Sequence, residues 1–458
     1  LRNFIHKVST DLDLDRFTPL DPAQKTNILK QLQQEALELL TRDNLTPETL
    51  SAAYARISRN PRPVNELRQI ARQEVDKARR SNQNIIFGLG HSSVAEHACF
   101  NFDIIGVSRY AVETIEHFRL ASYTEKSQRY ILFEDDFVIP GELSGSRLEK
   151  EYMELIRKQN STYFKLYDVL KPYVFKKYSA LAENPKNHKM LEGLAKEDAR
   201  YVIALATQTQ LGMTVNARTL ENMIAKCNSH TLAEIREYGQ QLYEATKSYT
   251  PSIVKYVEPT SYLTDKFSDM QAITSKFSDM RAFKKENDTV ILLNYPEEAD
   301  DIILSTVLFK YLHMDYSECV KKIQKLNTSD KKTFFRQLFN NINPWDSVVR
   351  EFEFISLTFQ LTVSASNFGQ LKRHRMANVI SQDYDIILGV TIPESIIETG
   401  QKDLFLEMID QTNSFYIKIK NFNPFLGGYV LTNAHRRRVL FKMNLRGSSA
   451  WSPLREDH

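Results

Sequence analysis

Glycine is scarce in this sequence, and its scarcity excludes one large class of cofactor site. Only 14 of the 458 residues are glycine, and no Gly-x-Gly-x-x-Gly segment occurs. The chain therefore lacks the glycine-rich turn that binds a dinucleotide in a Rossmann fold. It also lacks an apolar run of roughly 20 residues, the length that a membrane-spanning helix needs. Because the first residues show no signal-peptide pattern, we expect a cytoplasmic protein without a membrane partner.

Cysteine and excess charge are scarce as well. The three cysteines have no metal-ligand spacing, which favours reduced thiols over a disulfide framework. His91, Glu96 and His97 lie close in sequence but lack the i, i+4 histidine pair of helical zinc sites, so no metal is expected. The 60 basic and 57 acidic residues leave a net charge of +3, which is too balanced to indicate a nucleic-acid partner.

An internal duplication is the most informative feature that the sequence does contain. Phe102 is followed 14 residues later by Glu116, and Phe359 is followed 14 residues later by Arg373. The two blocks therefore superpose at a constant offset of 257. The first copy continues into the polar segment Ser122–Tyr130, which the second copy has lost.

Hydrophobic periodicity predicts strands and helices in both halves of the chain. Apolar alternation predicts strands at residues 98–104 and 355–363, and the apolar run at 289–293 predicts a further strand. Helical spacing predicts helices over Asp21–Leu40, Leu148–Tyr173, Glu197–Leu211 and Ala217–Thr246, the last interrupted near Asn228 and Ser229. Because strands and helices do not alternate regularly, we predict the α+β class, with domains at 1–262 and 289–458 and a linker at 263–288.

Two short segments carry residues suited to binding phosphate. In the triplet Arg373–Arg375, the arginine guanidinium has a planar fork of donors that matches phosphate geometry. In the loop Glu125–Arg129, Ser127 and Arg129 could bind a phosphate, and Glu125 a sugar or a base edge. A solvated basic turn and an ordinary surface loop are the alternative interpretations of the two segments.

The order of these motifs along the chain resembles the flavin-dependent thymidylate synthase family. That family has a His-x-Ser/Thr-x-x-Glu-His segment, a Gln-x-x-Arg-His-Arg flavin motif, a Ser-x-x-Glu-x-Ser-x-Arg loop and a later Val-Asn-Ala-Arg. Here the motifs are His91–His97, Gln370–Arg375, Ser122–Arg129 and Val215–Arg218. The first half matches along most of residues 50–245, and the second matches more thinly from about 350 to 458.

The resemblance implies a fold and an activity. It implies two tandem synthase-like domains, each a mixed or antiparallel sheet packed with long helices. It also implies reductive methylation of dUMP to dTMP, with FAD as cofactor and with NADPH and methylenetetrahydrofolate as co-substrates. Two alternatives stay open: a flavoenzyme that modifies a different pyrimidine, and a non-catalytic remnant that binds a nucleotide or serves as a scaffold.

The resemblance also assigns roles to individual residues. It implies that the catalytic arginines, which hold the substrate phosphate and polarise the uracil, are Arg129, Arg200 and Arg455. The remaining substrate-binding residues would be Glu125, Ser127 and Gln370. The cofactor-binding residues would be His91, Ser93, Glu96, Asn216, Arg218, Asn222, Arg373, His374 and Arg375.

Each copy departs from the family pattern in a different motif. At the offset of 257, Glu116 replaces the first flavin-motif arginine of the first copy and would repel a diphosphate. In the second copy, Asp383 and Asp385 replace the serine and arginine of the nucleotide loop. Members of the family are homotetramers with shared active sites. We therefore expect a homodimer that forms a pseudo-tetramer, with composite sites built from both halves of the sequence.

Overall fold

The computed structural model describes residues 46–57, 60–127, 136–265, 269–270, 273–274, 289–343 and 346–449. The helix predicted over Asp21–Leu40 lies outside these residues, as do most of the predicted linker, Arg129 and Arg455. Within the described part of the chain, no helix is both long enough and apolar enough to span a membrane.

The chain divides into two compact units, and each unit contains segments from both halves of the sequence. The first unit comprises Leu1–Asn160, Ala204–Ala282 and Ser414–Val430. The second comprises Ser161–Ile203, Phe283–Asn413 and Leu431–His458. The predicted domains at 1–262 and 289–458 describe the duplication of the sequence and stay a prediction, whereas the compact units each include a segment from the opposite half.

Helices and antiparallel strands make up both units. The α-helices, in chain order, are α1 (Pro47–Ile57), α2 (Val64–Gln73), α3 (Val75–Gln83), α4 (Arg109–Ile115), α5 (Glu149–Lys177), α6 (Ser179–Ala182), α7 (His188–Ala199), α8 (Ala217–Asn228), α9 (Ala233–Thr246), α10 (Ser261–Thr264), α11 (Ala299–Tyr311), α12 (Tyr316–Gln324), α13 (Thr328–Leu338), α14 (Ala365–Leu371), α15 (Glu394–Glu398), α16 (Lys402–Phe422), α17 (Gly427–Val430) and α18 (Leu445–Ser449). The strands are β1 (Cys99–Ser108), β2 (Ala121–Glu125), β3 (Gln208–Asn216), β4 (Val290–Asn294), β5 (Ser356–Ser364), β6 (Asn378–Ser381) and β7 (Arg436–Asn444). The predicted α+β class is confirmed.

The first unit contains a three-stranded antiparallel sheet with the order β1-β3-β2. Side chains of the central strand β3 alternate between buried and exposed, so that Leu211, Met213 and Val215 enter the core. This alternation is the period of two that a strand with one covered face requires. The hydroxyl of Tyr238 on α9 reaches the sulfur of Met213 at 3.7 Å, which places α9 against the covered face.

The second unit contains a four-stranded antiparallel sheet with the order β4-β5-β7-β6. Its central strand β7 contributes Val439, Phe441 and Met443 to a buried cluster. Phe368 and Leu371 on α14 complete that cluster, together with half-buried side chains of β5. In each unit, therefore, a central strand buries alternate apolar residues.

One β-bulge distinguishes the first sheet from the second at equivalent positions. The β1–β3 ladder shifts by one residue between Ile105 and Val107, and Gly106 between them has a φ of +79°. Glycine adopts this left-handed conformation without the steric cost of a Cβ, and it is a usual residue in bulges. The β5–β7 ladder runs without a shift.

The bulge changes the relation between the two copies. Before it, the equivalent residues Phe102 and Phe359 differ by 257 positions; after it, Ser108 and Ser364 differ by 256. Ser108 and Ser364 are true counterparts, because each caps a helix of seven residues, α4 or α14, by accepting a hydrogen bond from a backbone N–H. The constant offset of 257 is therefore wrong beyond Gly106.

The corrected offset changes which residues replace the basic triplet. The strands after the two helices keep the offset of 256, because Ser122 in β2 and Asn378 in β6 face equivalent positions of the central strands. The counterpart of Arg373–Arg375 is therefore His117–Arg119, and the predicted pairing of Arg373 with Glu116 is wrong. The side chain of Glu116 is buried, and its counterpart in the second unit is the residue before the triplet.

A second prediction from periodicity is also wrong. The segment Glu197–Leu211, predicted as one helix, contains only the end of α7, which stops at Ala199. A short 3₁₀ turn, Arg200–Val202, follows, and the chain then enters β3 at Gln208. The helix predicted over Ala217–Thr246 is present as α8 and α9, with a break where the sequence indicated one.

The segment Gly427–Val430 is held in the first unit by contacts along its backbone. The amide of Ala206 donates to the Tyr429 carbonyl at 2.9 Å, and the Tyr429 ring lies edge-on to Tyr110 with centroids 5.1 Å apart. A Cβ added to Gly428 would come within 2.7 Å of the Tyr110 hydroxyl oxygen and closer still to its ring. Only glycine fits at this position.

In the second unit, a buried histidine fixes the start of β7. His435 is fully buried; its Nδ1 accepts a 2.9 Å hydrogen bond from the backbone amide of Thr432. Its Nε2 lies 2.9 Å from Oδ1 of Asn413, to which it donates in this tautomer. Burial lowers the pKa of His435 to about 4, because the charged ring would lose its hydration.

We predict that Gly428→Ala destabilises the protein by about 1–3 kcal/mol, because the new methyl group overlaps the Tyr110 ring. Thermal unfolding should show a melting temperature lowered by about 1–2 °C per kcal/mol, as expected for the size of this protein. The control is Gly212→Ala in β3, where no heavy atom lies within 4 Å of an added Cβ. Equal melting temperatures for the two variants would show that Tyr110 does not restrict position 428.

We also predict that the free energy of unfolding decreases as the pH is lowered from about 6.5 towards 4. In this range His435 binds a proton in the unfolded state but stays neutral in the folded state. The full loss corresponds to about 3 kcal/mol. Urea unfolding of His435→Gln should show a weaker pH dependence in this window than the wild type. His313→Asn, which changes an exposed histidine of the same unit, should keep the wild-type dependence. An unchanged slope in His435→Gln would contradict this prediction.

Candidate functional site

The predicted site residues are distributed over both units. The first unit holds His91, Ser93, Glu96, Glu125, Ser127, Asn216, Arg218 and Asn222. The second unit holds Arg200, Gln370, Arg373, His374 and Arg375. Arg200 belongs to the first half of the sequence, yet it lies in the unit that contains the basic triplet.

The basic triplet forms a turn immediately after α14. The amide of Arg373 donates to the Gln370 carbonyl at 3.2 Å, and the amide of Ala377 donates to the His374 carbonyl at 3.0 Å. Arg373 and Arg375 are exposed, whereas His374 is half-buried. Two guanidinium groups on one tight turn can approach the same anionic ligand, as phosphate recognition requires.

His374 points towards the sheet of its unit. Its ring lies edge-on to Phe441 of β7, with centroids 6.5 Å apart. Because aromatic packing on the sheet restricts this side chain, the turn between the two arginines has a defined orientation. The position of His374 therefore separates the roles of the triplet: the histidine anchors the turn, and the arginines face solvent.

The equivalent turn of the first unit is poorly suited to bind an anion. In the triplet His117–Arg119, only the last residue is an arginine. The Lys226 ammonium lies 5.5 Å from the centroid of the Phe118 ring, which occupies the histidine position. A single guanidinium cannot provide the paired forks of the second unit. The first copy is thus degenerate at this turn, although the replaced positions differ from those that the offset of 257 indicated.

Arg200 binds the helix that leads to the triplet. Only 5% of Arg200 is exposed, and its Nη2 donates to the Ser366 hydroxyl at 2.8 Å. Ser366 and Gln370 lie four residues apart on α14, and therefore on one face of that helix. The second unit thus brings together Arg200, Gln370 and the turn that carries Arg373.

The backbone and charge around Arg200 are also fixed. Its carbonyl accepts a 3.0 Å hydrogen bond from the Asn433 amide group, and its guanidinium lies 3.4 Å from the Glu197 carboxylate. Arg200 lies eight residues ahead of β3, and its counterpart is Gly428, which lies eight residues ahead of β7 and belongs to the first unit. An arginine in one unit therefore corresponds to a glycine in the other.

Glu125, a predicted substrate ligand, forms an ion pair inside the first unit. Its side chain is 1% exposed and accepts from the guanidinium of Arg109, which is 10% exposed. The hydroxyl of Thr209 donates to the same carboxylate at 3.3 Å. Burial lowers the pKa of Arg109, but the charge and hydrogen bond of Glu125 raise it more, so the net pKa is above the usual value. The carboxylate thus joins the start of α4 to the end of β2.

The loop after β2 begins as an extension of the sheet. The amide of Lys126 donates to the Gln210 carbonyl at 2.9 Å, and Ser127 beyond it is half-buried. The equivalent loop in the second unit is held differently. There the Arg437 guanidinium stacks 4.0 Å from the Tyr384 ring centroid and donates to the Gln382 carbonyl at 2.8 Å.

Arg437 was not among the predicted site residues. Its guanidinium also lies 4.5 Å from the centroid of the Phe368 ring, so it is enclosed by two aromatic side chains. The run Arg436–Arg438 is visible in the sequence, but nothing in the run distinguishes its middle member as the buried one. Strand alternation supplies that signal, because Arg437 shares the core-facing side of β7 with Val439.

Glu96 and Arg218, which we predicted independently as cofactor residues, contact each other. Arg218 Nη1 lies 2.5 Å from Glu96 Oε1, and both side chains are about half exposed. The second unit contains the same pair: Arg446 Nη1 lies 2.5 Å from Glu353 Oε1. Each glutamate is three residues ahead of the long strand that pairs with the central strand, β1 or β5, and each arginine is two residues past the central strand, β3 or β7. Glu353 is therefore the counterpart of Glu96.

The other predicted cofactor residues of the first unit lie near this pair. Asn216 caps α8, because its side chain accepts from the amide of Thr219 at 2.9 Å. Asn222 is exposed one turn after Arg218 on the same helix. His91 and Ser93 are exposed at the start of the 3₁₀ helix Ser92–His97 that carries Glu96. A carboxylate, an arginine and polar side chains thus share one surface.

All three cysteines are free thiols. Cys227 and Cys319 are buried free thiols, and Cys99 is an exposed free thiol. Over the described ranges, no group of three histidine, cysteine, aspartate or glutamate side chains is arranged to hold a metal ion.

The chain is similar to several known proteins. It is 31% identical to a flavin-dependent thymidylate synthase of Clostridium tetani over 218 residues, which cover 47% of this chain and 83% of that protein. A UPF0159 protein of Thermoplasma acidophilum is 23% identical over 449 residues, covering 88% of each chain. A crystal structure of flavin dependent thymidylate synthase ThyX from Helicobacter pylori, complexed with FAD and dUMP, aligns with a TM-score of 0.31 at 20% identity, covering 46% of this chain and 96% of that one.

The family model described as thymidylate synthase complementing protein matches the chain twice, at residues 39–252 and at residues 291–457. The two matches cover most of the sequence and correspond to the two copies of the duplication. The predicted resemblance and the prediction of an enzyme family are confirmed: the chain belongs to the thymidylate synthase complementing protein family, that of the flavin-dependent thymidylate synthases.

Proposed function

We propose that this protein is an active flavin-dependent thymidylate synthase. It would convert dUMP to dTMP with FAD as cofactor, and with NADPH and methylenetetrahydrofolate as co-substrates. The names of its relatives support the reaction. The observation that carries the proposal is the contact between Arg200 and Ser366, which joins a predicted substrate arginine to the helix of the predicted flavin triplet.

The residues of the triplet fit a flavin diphosphate. Arg373 and Arg375 are exposed on one turn, and the anchored ring of His374 lies between them in sequence. Paired guanidinium forks match the geometry of phosphate oxygens and neutralise their charge. We assign the diphosphate to these arginines. When bound, the flavin would supply the hydride chemistry, while the protein binds and orients the reactants.

Arg200 and Gln370 are the proposed substrate residues of the second unit. A buried arginine keeps its charge under all physiological conditions, so it can bind a phosphate or polarise a carbonyl oxygen. Ser366 fixes one Nη2 donor, and the planar guanidinium then restricts the direction of the others. Arg129 and Arg455 would complete the phosphate contacts.

The first unit would contribute the remaining flavin contacts through Glu96, Arg218 and Asn222. Because the basic triplet is intact only in the second copy, a complete site requires residues from both copies. We propose that two chains associate as a pseudo-tetramer with two composite sites, half the number of an undivided tetramer. Both halves of the sequence are then necessary for one reaction.

We predict that Arg373→Ala lowers flavin affinity by about 100-fold or more, because one of two charge-assisted contacts is lost. Flavin content of the purified protein, measured from its visible absorption band, gives the result. Arg119→Ala is the matched control in the first unit and should keep its flavin, since that turn lacks the paired forks. Undiminished flavin in Arg373→Ala would refute the assignment of the diphosphate to this turn.

The same absorption measurement tests the alternative functions. A purified protein without flavin absorption, also after addition of FAD, would favour a non-catalytic remnant. Growth of a thymidine auxotroph that expresses the protein would support thymidylate synthesis. Flavin binding without such growth would favour a flavoenzyme that acts on a different pyrimidine.

We predict that Arg200→Lys weakens dUMP binding by about tenfold or more and leaves the flavin content unchanged. Lysine keeps the charge but lacks the planar fork that would contact Ser366 and the substrate together. Titration with dUMP, followed by calorimetry, measures the affinity. Lys171→Arg, a change at the surface of the same unit, serves as the control. Wild-type dUMP affinity in Arg200→Lys would exclude a substrate role for Arg200.

A further inference from the structure

A basic cavity lies in the first unit, beside the helix that carries Glu96. Its volume is about 290 Å³, and it lies where the start of α1 meets α2 and the beginning of β1. The polar residues that line it are Thr46, Thr49, Arg68, Arg72, His97 and Cys99. None of these residues has been assigned to the substrate or to the flavin.

Two arginines line the cavity, and the described lining residues include no aspartate or glutamate. Arg68 and Arg72 lie four residues apart, on the side of α2 next to the buried residues Leu67 and Ala71. Their position brings two guanidinium groups to one opening, as binding of an oxyanion requires. Among the described residues that line the cavity, none is acidic.

The only carboxylate in the first turn of α1 is engaged elsewhere. Glu48 is fully buried, forms an ion pair with Arg79 and accepts from the Ser252 hydroxyl at 2.7 Å. Its charge is therefore compensated within the core. The positive end of the α1 dipole is consequently left to act on the cavity, where it favours an anion.

A hydroxyl at the cavity has no hydrogen-bond partner. Thr46 Oγ1 is inaccessible to solvent, and no described residue donates to it or accepts from it. Thr46 directly precedes α1, and its carbonyl accepts from the amides of Thr49 and Leu50 at 3.1 and 3.4 Å. A buried hydroxyl without a partner costs free energy, and a ligand oxygen in the cavity would recover it once the Thr46 side chain rotates towards the ligand.

We propose that this cavity binds the phosphate group of a small molecule. Two arginines and a histidine provide donors around a volume that accommodates a phosphate. The source is either free inorganic phosphate or the phosphate of a mononucleotide. The site goes beyond the proposed synthase reaction and does not depend on it. It adjoins that reaction's residues because His97 ends the 3₁₀ helix that carries Ser93 and Glu96.

Cys99 provides a reporter for binding. It lines the cavity and is exposed, whereas Cys227 and Cys319 are buried and should react slowly with a thiol reagent. N-ethylmaleimide is uncharged, so its own approach is insensitive to the local potential. Occupation of the cavity should slow the reaction of Cys99 by covering the thiol and by neutralising the nearby arginines.

The experiment measures the rate of Cys99 labelling in the full chain by mass spectrometry, with phosphate or chloride at equal ionic strength. We expect phosphate to slow labelling saturably, and we expect Arg68→Gln combined with Arg72→Gln to weaken the apparent affinity by about tenfold or more. The matched control combines Arg62→Gln with Arg80→Gln, two exposed arginines outside the cavity, and should keep the protection. Each variant is compared with its own rate in chloride.

Two further measurements decide the outcome. Protection by AMP at lower concentrations than by inorganic phosphate would assign a nucleotide phosphate, and the reverse order would assign free phosphate. Broadening of the phosphorus NMR signal of inorganic phosphate tests binding without the thiol. The proposal is overturned if neither ligand slows labelling of the wild type, or if the cavity variant is protected as well as the control. Flavin content enters neither readout, so failure here is distinguishable from failure of the proposed function.

Discussion

The hydrogen-bonded register of the central strands β3 and β7 is the constraint on which the rest of the structure depends. Each central strand pairs with a neighbour on both sides, so its register determines which side chains of the adjoining segments enter the core. Three features recur in both units at the same distances from these central strands. They are the Glu–Arg pair, the serine that caps the helix, and the loop that follows β2 or β6. Gly106 interrupts the correspondence by one residue, and the chemistry assigned to every later position of the first copy depends on counting that residue correctly.

When residues after Gly106 are matched at the offset of 256, the differences between the two copies have a physical explanation. The buried pair of Arg109 and Glu125 corresponds to Ala365 and Ser381, so both charges are absent from the second unit. Loss of only one partner would leave an uncompensated buried charge and would cost about 3–5 kcal/mol, whereas loss of both avoids that cost. The second copy therefore lacks both members of the ion pair rather than one. The loop after β6 is held by the stacked Arg437 instead, an arrangement that differs from that of the first copy.

The spacing of apolar residues along the sequence predicted many of the strands and helices. It failed for features that depend on contacts between separate segments of the chain. The strands near Phe102 and Phe359 were found because their apolar residues alternate, and the break between α8 and α9 was visible in the sequence. The helix predicted over Glu197–Leu211 was wrong because buried apolar residues between α7 and β3 imitate helical spacing. The bulge at Gly106 was inaccessible to sequence analysis, since it depends on pairing with residues about 100 positions away. The ion pair of Glu125 with Arg109, 16 positions away, was inaccessible because it depends on how β2 folds back beside α4.

The exchanged segments provide the strongest argument that the two copies no longer perform the same task. In the second unit, the segment from the first half brings Arg200, which contacts the small side chain of Ser366. In the first unit, the segment from the second half brings Gly428, and the Tyr110 ring occupies the space that a side chain there would need. Tyr110 and Ser366 are counterparts at the offset of 256, so a large residue faces glycine in one unit and a small residue faces arginine in the other. An arginine at position 428 would collide with Tyr110, and a glycine at position 200 would leave Ser366 without its donor. Each unit therefore pairs one large with one small residue at these two positions. As a result, Arg200 and the basic triplet lie in the same unit.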